Sequence, residues 1–269
     1  MGVWMEHIRG LLLVVGISLL AMTGLGRTEV VDCTVPTSFY DTEPLLPKTT
    51  AALTSGQSVF VIVLGGASTL GGAAGGIEHA WPARLAAALR HRFPATRVVV
   101  DNRAVARQTA QAVESRLEKE ILTLKPTLVI WETGTTDAVR GTEPDEFRQT
   151  LQTGIDRLRT SGTEVVCMDM QFSRHTHAVI NFDKYKSVLR EVADANDVPL
   201  FRRHDIMRYW AEGGLFDLST EDRDRLQWVA TRLYDCIGLA MAEFMTRGVQ
   251  TGASLPAAPP EQPRKDRKE

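Results

Sequence analysis

Apolar, mostly β-branched runs that alternate with stretches of helical periodicity constrain this chain more tightly than any other feature. Val59–Leu64, Arg97–Val100, Thr127–Trp131, Glu164–Met168 and Val198–Phe201 read as five strands. Trp81, Leu85, Leu89 and Phe93 recur on one helical face, and Val113, Leu117, Ile121 and Leu124 on another. The same spacing returns at Phe147, Leu151, Ile155 and Leu158, and at Phe182, Tyr185, Leu189 and Val192. Pro94, Pro126 and Gly162 close helices, whereas Thr142 with Pro144 opens one. Shorter helices are expected at Thr50–Ser55 and near Asp205–Trp210. The last should run from about Asp224 to Met245 with Leu226, Val229, Leu233, Ala240 and Phe244 inward. Strands joined by helices run parallel, because each crossover needs a long connection, and a parallel sheet is covered on both faces. The expectation is therefore an α/β fold of three layers, α/β/α, around a five-stranded, mostly parallel sheet. Ligands of such folds sit beyond the carboxyl ends of the strands, which points to the loops after Leu64, Val100, Trp131, Met168 and Phe201.

A chain of 269 residues, 43% hydrophobic, can bury one sizeable core, and the alternation assigns it to residues 58–247. Arg9 and the apolar run Leu11–Leu20, followed by the small residues Ala21, Gly24 and Gly26, read as a signal peptide or an N-terminal anchor over residues 1–26. An irregular arm fills 27–57, and the proline-rich, then charged segment 248–269 has too little apolar surface to offset the entropy of ordering. The chain is expected to be exported, periplasmic or secreted, with an inner-membrane anchor as the alternative. It would touch a membrane only through an uncleaved leader. A net charge of −2 gives no global electrostatic case for nucleic acid. Of the three cysteines, Cys33 and Cys236 are the expected disulfide, which would tie the arm to the last helix, and Cys167 lies in an apolar strand as a buried thiol.

Gly65-Gly-Ala-Ser-Thr-Leu-Gly71, after the first strand, is similar to the Gly-Asp-Ser-x-Thr-x-Gly block that opens the SGNH (GDSL-type) ester hydrolases. Asn102-Arg-Ala-Val-Ala-Arg-Gln-Thr109 resembles their second block, and Thr133-Gly-Thr-Thr-Asp-Ala138 their Gly-x-Asn-Asp block. Asp224-Arg-Leu-Gln227 stands where the family has Asp-x-x-His. The resemblance spans roughly Val59 to Met245 and implies the family's flavodoxin-like sheet. It also implies a catalytic plan: a serine attacks an ester carbonyl, a histidine takes its proton, and the aspartate three residues earlier orients the imidazole. The serine's N–H, a block-two glycine N–H and the block-three asparagine form the oxyanion hole.

Carried over residue by residue, the serine position falls on Ala67, the glycine on Ala104, the asparagine on Thr136 and the histidine on Gln227. Asp224 matches the orienting aspartate, and Gly65, Thr69, Gly71, Gly134 and Asp137 match the frame. A methyl is no nucleophile and an amide is no titratable base, so both ends of the proton transfer are missing. Ser68 would restore a hydroxyl by a shift of one residue, at odds with the register that Thr69 and Gly71 impose. A substitute base could come from His175, His177 or His204, in the loops after strands four and five. Asp137 is expected to order its loop by accepting backbone N–H bonds. His175, His177 and Asp169 are too few for a metal assignment, and Gly71–Gly76 lacks the spacing of a phosphate cradle, so neither metal nor cofactor is expected. Trp81, Trp131, Trp210 and Trp228 are core candidates that could also stack on sugar rings.

These residues leave three functions open. The first is a catalytically impaired member that keeps a cleft for an acylated glycan or lipid. The second is an active esterase or O-deacetylase using Ser68 with a non-standard base, and the third a structural interaction module of the cell envelope. The sequence leaves the oligomeric state open as well.

Overall fold

The computed structural model describes residues 32–40, 46–173, 180–220 and 222–252, so the expected leader and most of the expected tail lie outside it. Five strands form one parallel sheet in the order β2-β1-β3-β4-β5: β1 Val59–Leu64, β2 Val98–Asn102, β3 Leu128–Glu132, β4 Glu164–Met168 and β5 Leu200–Phe201. β5 is only two residues long, shorter than its apolar run, because Pro199 has no N–H to pair and gives its carbonyl to Cys167.

Both faces of the central strands β1, β3 and β4 are buried, whereas the edge strand β2 is partly exposed, and alternate residues serve different cores. Val59, Val61 and Val63 point into one, with Leu128, Ile130, Val166 and Met168; Ile62 and Leu64 point into the other, with Val129, Trp131, Val165 and Cys167. The first core is closed by α1 Pro47–Ser55, α2 Trp81–Arg92, α7 Arg203–Glu212 and α8 Arg223–Gly252. The second is closed by α3 Ala110–Glu114, α5 Pro144–Thr160 and α6 Asp183–Ala195. Glycines set two close approaches: a β-carbon at Gly154 would lie 2.5 Å from the Trp131 ring, and one at Gly238 would lie 2.5 Å from Arg84 Cβ of α2.

Cys33 and Cys236 form the disulfide, with Cα atoms 5.1 Å apart, and the bond fastens the arm to α8. Cys167 is a free, buried thiol, which burial pushes up to about 12. No helix among the described residues is long and apolar enough to cross a membrane.

Three expectations are corrected. The helix through Val113 and Leu124 is broken: α3 gives way to a π turn at Leu117–Ile121 and a 3-10 turn at Leu122–Leu124. A wide π turn rotates the residues beyond it around the helix axis, so Val113, Leu117 and Ile121 stay buried while Leu124 is exposed. Leu226, expected inward, is also exposed, as are all the described residues of the first turn and a half of α8; Val229, Leu233, Ala240 and Phe244 are buried as expected. The third block, read as a loop, winds into a short helix, α4 Thr135–Arg140, entered through left-handed Gly134.

Candidate functional site

The loops at the carboxyl ends of β1, β2 and β3 are bound to one another. Gly65 cannot carry a side chain, since a β-carbon would lie 2.5 Å from Thr69 Oγ1 and 2.6 Å from Glu132 Oε2. Glu132, buried at the end of β3, accepts the Gly66 N–H at 2.9 Å and the Thr69 hydroxyl at 2.6 Å, both on Oε2. The Trp81 indole N–H donates to Thr69 Oγ1 at 3.2 Å. Asn102 Nδ2 donates to the Thr69 carbonyl at 2.6 Å, and Val105 N–H donates to the Gly65 carbonyl at 2.9 Å.

This turn presents Ala67 outward and exposed, and leaves Ser68 half-buried. The Ser68 Oγ accepts a hydrogen bond at 3.0 Å from Arg203 Nη1, whose side chain is fully buried at the start of α7. The same guanidinium nitrogen lies 3.9 Å from Glu132 Oε1. Arg203 Nε and Nη2 are buried and have no hydrogen-bond partner among the described residues. The hydroxyl at 68 thus accepts from a buried arginine, and the position matching the family's serine offers solvent a methyl group.

One of the carried-over oxyanion donors is engaged elsewhere. Ala104 is buried, and its N–H donates to Asn102 Oδ1 at 3.1 Å. Thr136 is half-buried in the first turn of α4. Gly134, at φ 92°, has no room for a β-carbon, which would lie 2.6 Å from Met170 Cε. Asp137 is buried and takes the Ala110 N–H on both carboxylate oxygens at 3.1 Å, so it orders the loop between β2 and α3. Burial raises its carboxyl above the usual range, against the backbone N–H bonds and Arg140, which lower it.

Gln227 stands exposed on α8 against the glycine loop, where a β-carbon on Gly75 would lie 2.6 Å from its Nε2. Asp224, exposed one turn earlier, shares a groove with Gln227, Trp228, Thr231, Arg232 and Asp235. Trp228 is 55% exposed, with the Arg232 guanidinium 5.7 Å over its ring, whereas Trp81, Trp131 and Trp210 are core residues.

Of the candidate bases, His175 and His177 lie outside the described residues. His204 does not sit on an exposed loop. It is the second residue of α7, 1% exposed, and its Nδ1 faces Lys186 Nζ at 3.1 Å and Asp205 Oδ1 at 3.2 Å. Apolar packing carries it inward, since its ring stands edge-on to Phe172 and its N–H donates to buried Asp169 at 2.8 Å. Burial lifts the Asp169 carboxyl to about 7, while His204 and Lys186 hold Asp205 far below the usual range. Among the described residues no cluster of histidine, cysteine and carboxylate side chains could hold a metal ion.

Two residues that organise this rim were not singled out as such from the sequence. Arg203 is central, and its only signal is a pair of basic residues directly after a strand, Arg202-Arg203. Asn102 heads the second block, but its bonds to Thr69 and Ala104 depend on the sheet register.

The sequence profile of the non-GDSL lipase-like family matches residues 32–251, most of the chain. The chain belongs to this family. Its membership agrees with the SGNH-type motif frame and with the sheet order. No curated protein sequence matches it significantly. Among solved structures, a two-domain esterase active on acetylated mannans, crystallised with mannopentaose, is similar at TM-score 0.60 and 18% identity. The alignment covers 75% of this chain and 54% of that one, so this family member spans about half of the two-domain protein. LAE5, an α/β hydrolase from the metagenome of Lake Arreo, is similar at TM-score 0.55 and 18% identity, over 70% of this chain and 95% of that one. A variant of Axe2, an acetyl-xylooligosaccharide esterase from Geobacillus Stearmophilus, is similar at TM-score 0.50 and 15% identity, over 66% and 93%. At these identities the likeness is one of fold.

Proposed function

We propose that this member of the non-GDSL lipase-like family is an exported protein that binds an acylated carbohydrate or lipid at its rim without hydrolysing it. One observation carries the reading: the outward position of the β1 turn is Ala67, and the neighbouring hydroxyl of Ser68 is turned inward to a buried arginine. Losing the nucleophile alone lowers acyl transfer by orders of magnitude. The use of the Ala104 N–H by Asn102 and the amide at Gln227 point the same way. The disulfide supports export, since such bonds persist in oxidising compartments. The acylated-sugar chemistry of two of the structural relatives, the mannan-active and xylooligosaccharide-active esterases, suggests the ligand class.

The test pairs retention with turnover. The chain is expected to be retarded in gels that contain acetylated mannan or acetylated xylan while releasing no acetate above buffer. Ala67→Trp, which fills the rim, should abolish the retardation; a purely structural module would be indifferent to it. Acetate release that disappears in Ser68→Ala would overturn the proposal and make Ser68 the nucleophile.

A further inference from the structure

Beside the silent turn, the loops after β2 and β3 hold an unusual pair of cations. Arg107 is left-handed, at φ 62°, a conformation that side chains other than glycine, asparagine and aspartate seldom adopt. Its carbonyl accepts a hydrogen bond from Arg140 Nη2 at 3.1 Å, so one exposed arginine clamps the loop that carries the other. Neither forms an ion pair among the described residues, although their neighbours do: Arg103 pairs with Asp101, and Arg116 with Glu120. The nearest acid on the same helix, Asp137, is buried and spends both oxygens on the Ala110 N–H. Around the arginines lie exposed apolar side chains, Val105 at 44% and Val139 at 60%, with exposed Ala106 between Val105 and Arg107. The Val105 N–H bond to Gly65 fixes this patch to the β1 turn.

We infer that this edge of the rim docks on an anionic phospholipid surface, with Arg107 and Arg140 toward the headgroups and Val105 and Val139 toward the acyl boundary. Charge complementarity supplies the argument. Two exposed arginines that form no ion pair among the described residues favour an anionic ligand, and apolar residues standing out beside them favour a lipid surface over a hydrated polyanion. The protein's net charge of −2 does not oppose this, because at physiological salt only charges within about 8 Å of the surface count. The inference is independent of whether the rim hydrolyses esters.

The experiment measures binding of the full-length chain to vesicles of phosphatidylcholine alone and of phosphatidylcholine with phosphatidylglycerol. The readout is the change on substitution in the ratio between the two vesicles, so the apolar Leu11–Leu20 run and the basic residues near both ends, which every variant keeps, cancel. Arg107→Gly keeps the backbone conformation and Arg140→Gln keeps a donor. Each is expected to lower the ratio about fivefold, and the pair about thirtyfold, at roughly 1 kcal/mol for each arginine. Arg148→Gln, removing a charge on α5, should leave the ratio unchanged, which separates local docking from total charge. Val139→Gln should weaken binding to both vesicles. Equal binding to the two vesicles, an undiminished ratio in the double variant, or binding to a soluble anionic polysaccharide with none to vesicles would overturn the inference. Ester cleavage would appear separately, as fatty acid released from the vesicles, and would count against the proposed function alone.

Discussion

The two seats that should hold a nucleophile and its base are built in opposite ways. The β1 turn is woven into the protein: Gly65, Gly66 and Thr69 press against Glu132, Trp81 seals Thr69, and Arg203 reaches Ser68 from beneath. The base's seat on α8 is an exposed turn, where Asp224, Gln227 and Trp228 all face solvent. The contrast separates what packing demands from what chemistry demands. Glycine at 65 and threonine at 69 are required by contacts with Glu132 whether or not an ester is cleaved. Ala67 is exposed and Gln227 lies on the helix surface, so folding asks nothing particular of either, and only chemistry would require serine and histidine there.

The sharpest way to break this contrast is to remove Glu132. Glu132→Ala strands the fully buried Arg203 and leaves the Gly66 N–H and Thr69 hydroxyl without their acceptor, and breaking a buried charge pair costs about 3–5 kcal/mol. Denaturant midpoints at constant m-value would register the loss. A change under about 1 kcal/mol would mean that the turn is not held by this network.

A middle-sized effect is expected on the other side of Arg203, where Asp169 is buried against the His204 N–H. Its folded value of about 7 lies above the ordinary 3.8, so between those values the folded state holds more protons than the unfolded one. Its contribution to stability therefore falls as pH rises from about 4 to about 7 and is level above. Asp169→Asn keeps an acceptor for the N–H and cannot ionise. It is expected to be more stable than the wild type at pH 8, with the gain shrinking progressively toward pH 4. A gain that does not depend on pH would refute the titration of Asp169.

The smallest effects belong to the exposed seats. Ala67→Ser and Gln227→His should each change stability by less than about 0.5 kcal/mol, as solvent-facing replacements usually do. A larger loss at either site would show that packing does constrain it.

Much of this architecture is legible in the sequence. Apolar runs located the strands within a residue or two at most boundaries, because the central strands are buried on both faces and their runs have to be largely apolar. Cys33 and Cys236 pair as expected, and Asp137 orders its loop through the Ala110 N–H. What could not be read depends on contacts between distant segments. The π turn at Leu117–Ile121 keeps helical spacing in the sequence while breaking the helix in space. Leu226 obeys the amphipathic pattern, yet it lies in the exposed first turns of α8, before the buried face begins at Val229. His204 looked like a loop histidine because β5 is so short that α7 begins almost at once and carries it inward. Arg203 had no signal beyond its charge, since its role arises only where β1, β3 and α7 meet.

Intact-mass spectrometry of the wild-type chain after incubation with a fluorophosphonate tests the proposed loss of hydrolysis most directly. An unchanged mass is the predicted result. A stoichiometric adduct, mapped by peptide sequencing to Ser68 and lost in Ser68→Ala, would contradict it.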